Sequence, residues 1–289
     1  MRLTSLAFAI LVLYFGAAGL FAQGAQLTAA INANLVIITP FQGINGSTTP
    51  AFAPAGGVAS VQAGIRAVQT ALNGQAIGAQ VISVTIGGVN ITWGHDVGGV
   101  GAAGNGEIAV STGANGAAGA AGADASVTIT NTLCSGYAVG GNGSAANGRG
   151  GDATVAITGV DGRAEAYGGD GVGTGRGGHA DADAAPGGVG DIGDARAVGG
   201  NSVGAVAAGN GTAKGDGNAT ALGGNGDPTV ASTGGNAVAM TSNGNGVGAT
   251  SNATAGSAQV GGVASAFGPN NSQINVQPTG GTGNNAVGN

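Results

Sequence analysis

The sequence predicts a mainly β protein: an Ala/Gly-rich β-solenoid with two short strands in each unit of about 26 residues, preceded by a small α+β cap. Three observations lead there. From about Gly104 to Phe267, glycine-rich turns separate short Ala-x-Ala stretches such as Arg163-Ala164-Glu165-Ala166-Tyr167, His179-Ala180-Asp181-Ala182-Asp183 and Asp194-Ala195-Arg196-Ala197-Val198. Strand side chains alternate faces, so each stretch offers one face of methyl groups and an opposite face that tolerates charge. Second, 65 glycines in 289 residues, with 3% aromatic and 7% charged residues, describe a thin core held by backbone pairing. Third, strands near Thr128, Val155, Asp181 and Val206 start successive units, and second strands near Ala138, Glu165, Arg196 and Thr220 fall inside them. Disorder fits poorly, because the chain is 42% apolar with a formal charge of only -6.

The elements follow in chain order. Residues 1–24 read as a secretory signal peptide: Arg2, an apolar run from Leu6 to Phe21, and the small-x-small site Ala22-Gln23-Gly24. Residues 25–100 form the expected α+β head. Within it, Asn34-Leu35-Val36-Ile37-Ile38-Thr39 reads as a strand stopped by Pro40, either buried on both faces or supplied to another molecule. Apolar spacing from Val58 through Val61, Ile65 and Val68 to Leu72 describes a helix over 58–72, ended by Asn73-Gly74. Val81-Ile82-Ser83-Val84-Thr85-Ile86, Gly87-Gly88 and Val89-Asn90-Ile91-Thr92-Trp93 predict a hairpin over 81–93. Its register puts Ile86 opposite Val89, Val84 opposite Ile91 and Ile82 opposite Trp93, giving one apolar face for the helix to cover.

Residues 101–268 are the repeat region, and residues 269–289 are a tail, flexible or acting as a donor strand. Gly113, Gly116, Gly119 and Gly122 recur every third residue. That is the period of a polyglycine-II-like bundle, the alternative architecture. Cys134 is the single cysteine, expected either as a small buried side chain or in an intersubunit disulfide.

Most chemistry is excluded by what the residues lack. Seven basic residues scattered singly form no stripe for nucleic acid. No GxxxxGK[ST] surrounds Lys214, and His95 and His179 lie apart with no serine or cysteine motif beside either, so no enzyme is expected. Regular Thr-x-Thr rows that would suit ice binding are limited to Thr128-Ile129-Thr130. The acidic residues offer one candidate ligand set: His179, Asp181 and Asp183 share a strand face, and adjacent coils could bring Asp170, Asp191 or Asp194 near them as oxygen ligands for calcium. The candidate metal residues are therefore Asp181, Asp183, Asp191 and Asp194. No other cofactor is implied.

Gly187-Gly188-Val189-Gly190-Asp191 and Gly223-Gly224-Asn225-Gly226-Asp227 resemble the calcium-binding nonapeptide repeats of exported bacterial β-rolls. Gly140-Gly141-Asn142-Gly143-Ser144 through Gly148-Arg149-Gly150-Gly151-Asp152 is similar to the glycine-rich repeats of mycobacterial PE-PGRS surface proteins. Sequons at Asn45, Asn90, Asn142, Asn210, Asn218, Asn252 and Asn270 are candidate sites for glycans on an exported surface.

Burying an alanine methyl yields about 0.8 kcal/mol, whereas fixing a backbone residue costs roughly 1–2 kcal/mol. Such a chain depends on backbone ladders that run from coil to coil, and an uncapped end is free to pair with another copy. The expected function is a structural subunit of an extracellular filament, surface layer or biofilm matrix, secreted to the cell surface and pairing with itself through β-strands. The candidate assembly residues are Leu35, Val36, Ile37 and Ile38 at one end and Ile274 and Val276 at the other. The other reading is a monomeric extracellular binding protein: an adhesin, calcium binder or ice binder.

Overall fold

The computed structural model describes residues 22–42, 48–73, 79–102, 104–117, 119–144, 148–185, 193–204, 206–241, 250–268, 273–277 and 285–288. The apolar run of the signal peptide, Asp191, Asn45 and Asn270 lie outside them. The first described element is a helix, α1 (22–34), that the sequence reading did not place. Ala22-Gln23-Gly24 opens it. Its alanines favour helix, and Leu27 and Ile31, four apart, bury one stripe together with Leu35 at the start of the next element.

β1 (Leu35–Gln42) pairs antiparallel with β2 (Thr48–Pro54) in a two-stranded sheet. The register slips between Ile38 and Phe41, around Pro40, which has no N–H to give. Leu35 is buried, but Val36 and Ile38 stand 49% and 41% exposed, so β1 is half-buried and not covered on both faces. α2 (Val61–Asn73) begins three residues later than expected, because Ser60 caps it: its Oγ accepts the Ala63 N–H at 3.1 Å. Val58 therefore precedes the helix, while Ile65, Val68 and Leu72 form its buried face as expected.

β3 (Gln80–Ile86) and β4 (Val89–His95) form the predicted hairpin in the predicted register, with Ile82 opposite Trp93 and Val84 opposite Ile91. Gly87 and Gly88 hold φ of 58° and 81°, the double left-handed turn that only glycine adopts freely. β4 then pairs in parallel with β5 (Ile108–Thr112), so the hairpin opens a long sheet. The strands that extend it are β7 (Ser135–Val139), β9 (Arg163–Tyr167), β11 (Asp194–Val198), β13 (Asn218–Leu222), β15 (Thr250–Thr254) and β17 (Gln273–Gln277). They complete a nine-stranded sheet in the order β17-β15-β13-β11-β9-β7-β5-β4-β3. The intervening β6 (Ala125–Ile129), β8 (Ala153–Ile157), β10 (Ala180–Ala184), β12 (Gly211–Gly215), β14 (Ala237–Thr241), β16 (Val263–Phe267) and β18 (Asn285–Gly288) form a seven-stranded parallel sheet.

The two sheets face one another across the alanines. Ala164, Ala166, Ala182, Ala184, Ala197, Ala213, Ala219, Ala221, Ala239, Ala264 and Ala266 are all fully buried in one core, which thickens to Val127, Val155, Ile129 and Ile157 near the head. The β-solenoid is thus the predicted one, with one strand misplaced. The strand expected near Val206 is Gly211–Gly215, and Ala207 makes only an isolated bridge to Thr233.

The reason lies in the long connection from each strand of the larger sheet to the next strand of the smaller one. This connection has two legs, and in most coils each leg carries glycines followed by Asn, Asp or His: Gly140-Gly141-Asn142 going out and Gly150-Gly151-Asp152 returning, for example. Backbone N–H groups cross between the legs in a continuous zigzag, Gly235 to Gly224, Gly224 to Gly209, Gly209 to Gly200, Gly200 to Gly178, Gly178 to Gly169 and Gly169 to Gly151, at 2.8–2.9 Å. A Cβ built at Gly209 or Gly200 would fall well inside van der Waals contact of the Gly178 or Gly169 carbonyl oxygen. Glycine permits this approach at Gly200 and Gly209; at the head end the same zigzag runs on through Ala123 N–H to Ala114 O at 2.9 Å. Val206 sits on the returning leg of such a connection, where apolar identity does not make a strand. Alanine strands build the sheets, and glycine ladders build the connection between them.

The head seats on the outer face of the nine-stranded sheet. Leu27, Ile31, Phe52, Ile65, Val68, Leu72 and Trp93 share one cluster with Ile108, Val110, Tyr137, Val139 and Tyr167, so the head packs as a whole against the hairpin's apolar face and the first coils.

Candidate functional site

Of the residues singled out for calcium, Asp191 lies outside the described residues, and the other three divide between the two sheets. Asp181 and Asp183 lie on the outer face of β10, whereas Asp194 opens β11 in the opposite sheet. Asp183 pairs with Lys214 on the neighbouring strand at 3.4 Å. Loss of some of its hydration, and the nearby Asp183, raise the carboxyl of the exposed Asp181 above its usual range, with Lys214 opposing. Asp194 Oδ1 accepts the Asn218 N–H at 3.2 Å and its amide at 2.9 Å. Among the described residues, no group of three or more His, Cys, Asp or Glu side chains could hold a metal ion. His179 precedes the strand and faces another task.

That task is a ladder of side chains running along the stack. On the outgoing leg, Asn115 Oδ1 accepts the N–H of Asn142, Asn142 that of Asp170, Asp170 that of Asn201, Asn201 that of Asn225 and Asn225 that of Ser257, all at 2.8–3.0 Å. On the returning leg, Asp124 serves Asp152, Asp152 serves His179, His179 Nδ1 serves Asn210, Asn210 serves Asn236 and Asn236 serves Val263, at 2.7–3.0 Å. Each side chain satisfies the backbone of the next coil, a donor that the glycine legs would otherwise leave to solvent. The sequence signal was present in the Gly-Gly-Asn and Gly-Gly-Asp triplets, but it reads as low complexity until the coils are stacked. The sequons Asn142 and Asn210 fall within these ladders, Asn218 bonds Asp194, and the Asn90 amide donates to Glu107 at 3.1 Å.

A second set that the sequence did not reveal is polar and lies where the head meets the sheet. Glu165 is 1% exposed and receives Arg163 Nε at 2.7 Å and the Tyr167 hydroxyl. Tyr137 accepts the Phe52 N–H at 2.8 Å, and the two rings meet at 5.2 Å. Ser135 Oγ donates to Pro50 O at 2.5 Å and Thr49 Oγ1 to Asp161 O at 2.9 Å, while Arg66 reaches Asn142 Oδ1 and Gly168 O. Burial, followed by the Glu165 charge, pushes both tyrosine hydroxyls up. Burial alone would lower the Arg163 guanidinium, but Glu165, Tyr137 and Asp194 together more than offset it and leave it raised. The contacts of Thr49, Phe52, Pro50 and Arg66 attach β2 and α2 to the coils.

The assembly residues fall at strand edges. Leu35, Val36, Ile37 and Ile38 are in β1, already paired on one side with β2. Ile274 and Val276 belong to β17, which pairs in parallel with β15, so this part of the tail is the last strand of its sheet. Val276 packs against the alanine core. Cys134 is buried, and its Sγ donates to Gly104 O at 3.2 Å. Among the described residues, no helix is long and apolar enough to cross a membrane. Comparison with protein-family models, with curated proteins and with solved structures finds no match.

Proposed function

We propose that the protein is a structural subunit of an extracellular filament, surface layer or biofilm matrix, which assembles with copies of itself by β-strand pairing. One observation carries this reading: the stack ends on β17 and β18, strands whose outer edges meet no further strand among the described residues. A parallel ladder offers the same donors and acceptors at its end as it uses inside, so a second chain that supplies a strand gains the contacts already made between coils. The apolar run and small-x-small site at the N-terminus support export.

The test is negative-stain electron microscopy of the chain from about Ala25 over a concentration series, with and without calcium. Filaments that form without calcium are expected. Particles that remain single at every concentration would contradict the proposal. Single particles that order only with calcium would favour a binding protein acting through Asp181 and Asp183.

A further inference from the structure

Resting on the reading of the protein as a self-assembling subunit, we infer that the contact between copies joins the free edge of β17 in one chain to the free edge of β3 in the next, antiparallel and head to tail. These strands are the two ends of one nine-stranded sheet.

Exposed sheet edges are normally protected by charge or proline. Neither end of this sheet has such protection: β3 reads Gln-Val-Ile-Ser-Val-Thr-Ile and β17 reads Gln-Ile-Asn-Val-Gln. Around β17 the omission is wholesale. From Pro228 to Asn289 the chain contains no Asp, Glu, Lys, Arg or His, although all 20 charged side chains and both histidines occur before that point. An end without charge does not repel its own copy.

The inner core also runs out to both ends. Val81 pairs with Gly94, whose inward side is filled by Val97 and Val100, so Val81 lies on the side of the sheet that faces the other sheet. There it is 51% exposed, with Ser83 and Thr85 exposed beside it. At the other end Val276 lies against the alanine core. Joining β17 to β3 covers Val81 with the continuation of the same core. Because the two patches differ the contact is heterologous, and because they are the opposite ends of one sheet it adds copies along the stack. The smaller sheet does not offer an equivalent receiving edge: its first strand, β6, is already bridged at Val127 by Val100.

The test uses full-length chains carrying Cys134→Ala, with Ser83→Cys, Val276→Cys or both, oxidised under assembly conditions and run on denaturing gels without reductant. The double variant is expected to give a ladder of covalent multimers, each single variant only monomer, and an equimolar mixture of the singles a dimer and nothing larger. Covalent dimers from Val276→Cys alone would overturn the inference by showing that like ends meet. Filaments with no cross-link in the double variant would overturn it while leaving the filament reading intact; absence of filaments in the parent chain would remove both. Independently, Val81→Lys is expected to reduce polymer at least tenfold with an unchanged unfolding midpoint, and wild-type polymer yield would contradict the contact.

Discussion

Asn201 Oδ1 accepts the backbone N–H of Asn225 at 2.9 Å, one coil further along the stack. The same relationship joins Asn225 to Ser257 and, on the other leg, Asn210 to Asn236. Sheet hydrogen bonds, glycine ladders and these side-chain ladders all run in one direction, from coil to coil. That direction is where the stability of so thin a core resides.

Replacing Asn201 by Ala is expected to remove one acceptor and cost roughly 1 kcal/mol, whereas Asn201→Asp keeps it and should cost less. His179 occupies the equivalent place on the returning leg, with Nδ1 accepting from Asn210 at 3.0 Å. His179→Asn should therefore restore the prevailing ladder residue, while His179→Ala should lose roughly 1 kcal/mol. Urea unfolding of the four variants checks both positions.

Gly209→Ala tests the glycine ladder. The added methyl would run into the Gly178 carbonyl oxygen, which belongs to backbone and cannot rotate away. We expect a loss of about 3 kcal/mol or failure to fold. Gly99→Ala, where a Cβ meets nothing within 4 Å, is the control and should stay within about 0.5 kcal/mol of the parent. Equal effects at both sites, measured by thermal unfolding, would refute the ladder.

Tyr137→Phe probes how the head is held. It leaves the buried Phe52 N–H without its acceptor, for an expected cost of about 1–3 kcal/mol. Hydrogen exchange should show the loss first in β2. Unchanged protection there would mean that the head does not depend on this bond.

Burial lowers the pKa of His95, with Asp96 opposing. His95 is 2% exposed, and its Nδ1 lies 3.1 Å from Thr112 Oγ1. An unfolded histidine gains its proton near pH 6.5, before the folded one does. Stability is therefore full above about pH 6.5 and declines as pH falls below it, until the folded group is protonated too. Unfolding midpoints between pH 8 and 5 should fall in the parent and fall less in His95→Gln. Parallel profiles would contradict this assignment.

How much of this was legible in the sequence depends on the length scale of each signal. The β3–β4 hairpin was readable to the residue, because Gly87-Gly88 fixes the turn and alternation fixes the faces. The alanine strands were readable for the same reason of period two. α1 was missed because its alanines and single buried stripe, Leu27 and Ile31, lie beside a signal-like segment that competes for the same reading. The side-chain ladders join residues about one coil apart, such as Asp152 and His179, and no local window contains both partners. The Arg163–Glu165 pair reads as a strand face that tolerates charge, because nothing in the repeat reveals that Glu165 is buried between Arg163 and the Tyr167 hydroxyl. Within the proposed calcium set, Asp181 and Asp194 sit on strands of different sheets, a separation that spacing along the chain does not reveal.

The most direct measurement is cryo-electron microscopy of the assembled chain. Joining β17 to β3 makes the sheet continuous, so the subunits should repeat along the filament by nine strands at about 4.8 Å each, roughly 43 Å. A filament with that axial repeat, and strand spacing unbroken across the subunit boundary, is the predicted result. Single particles at every concentration, or filaments in which the strand ladder is interrupted between copies, would contradict it.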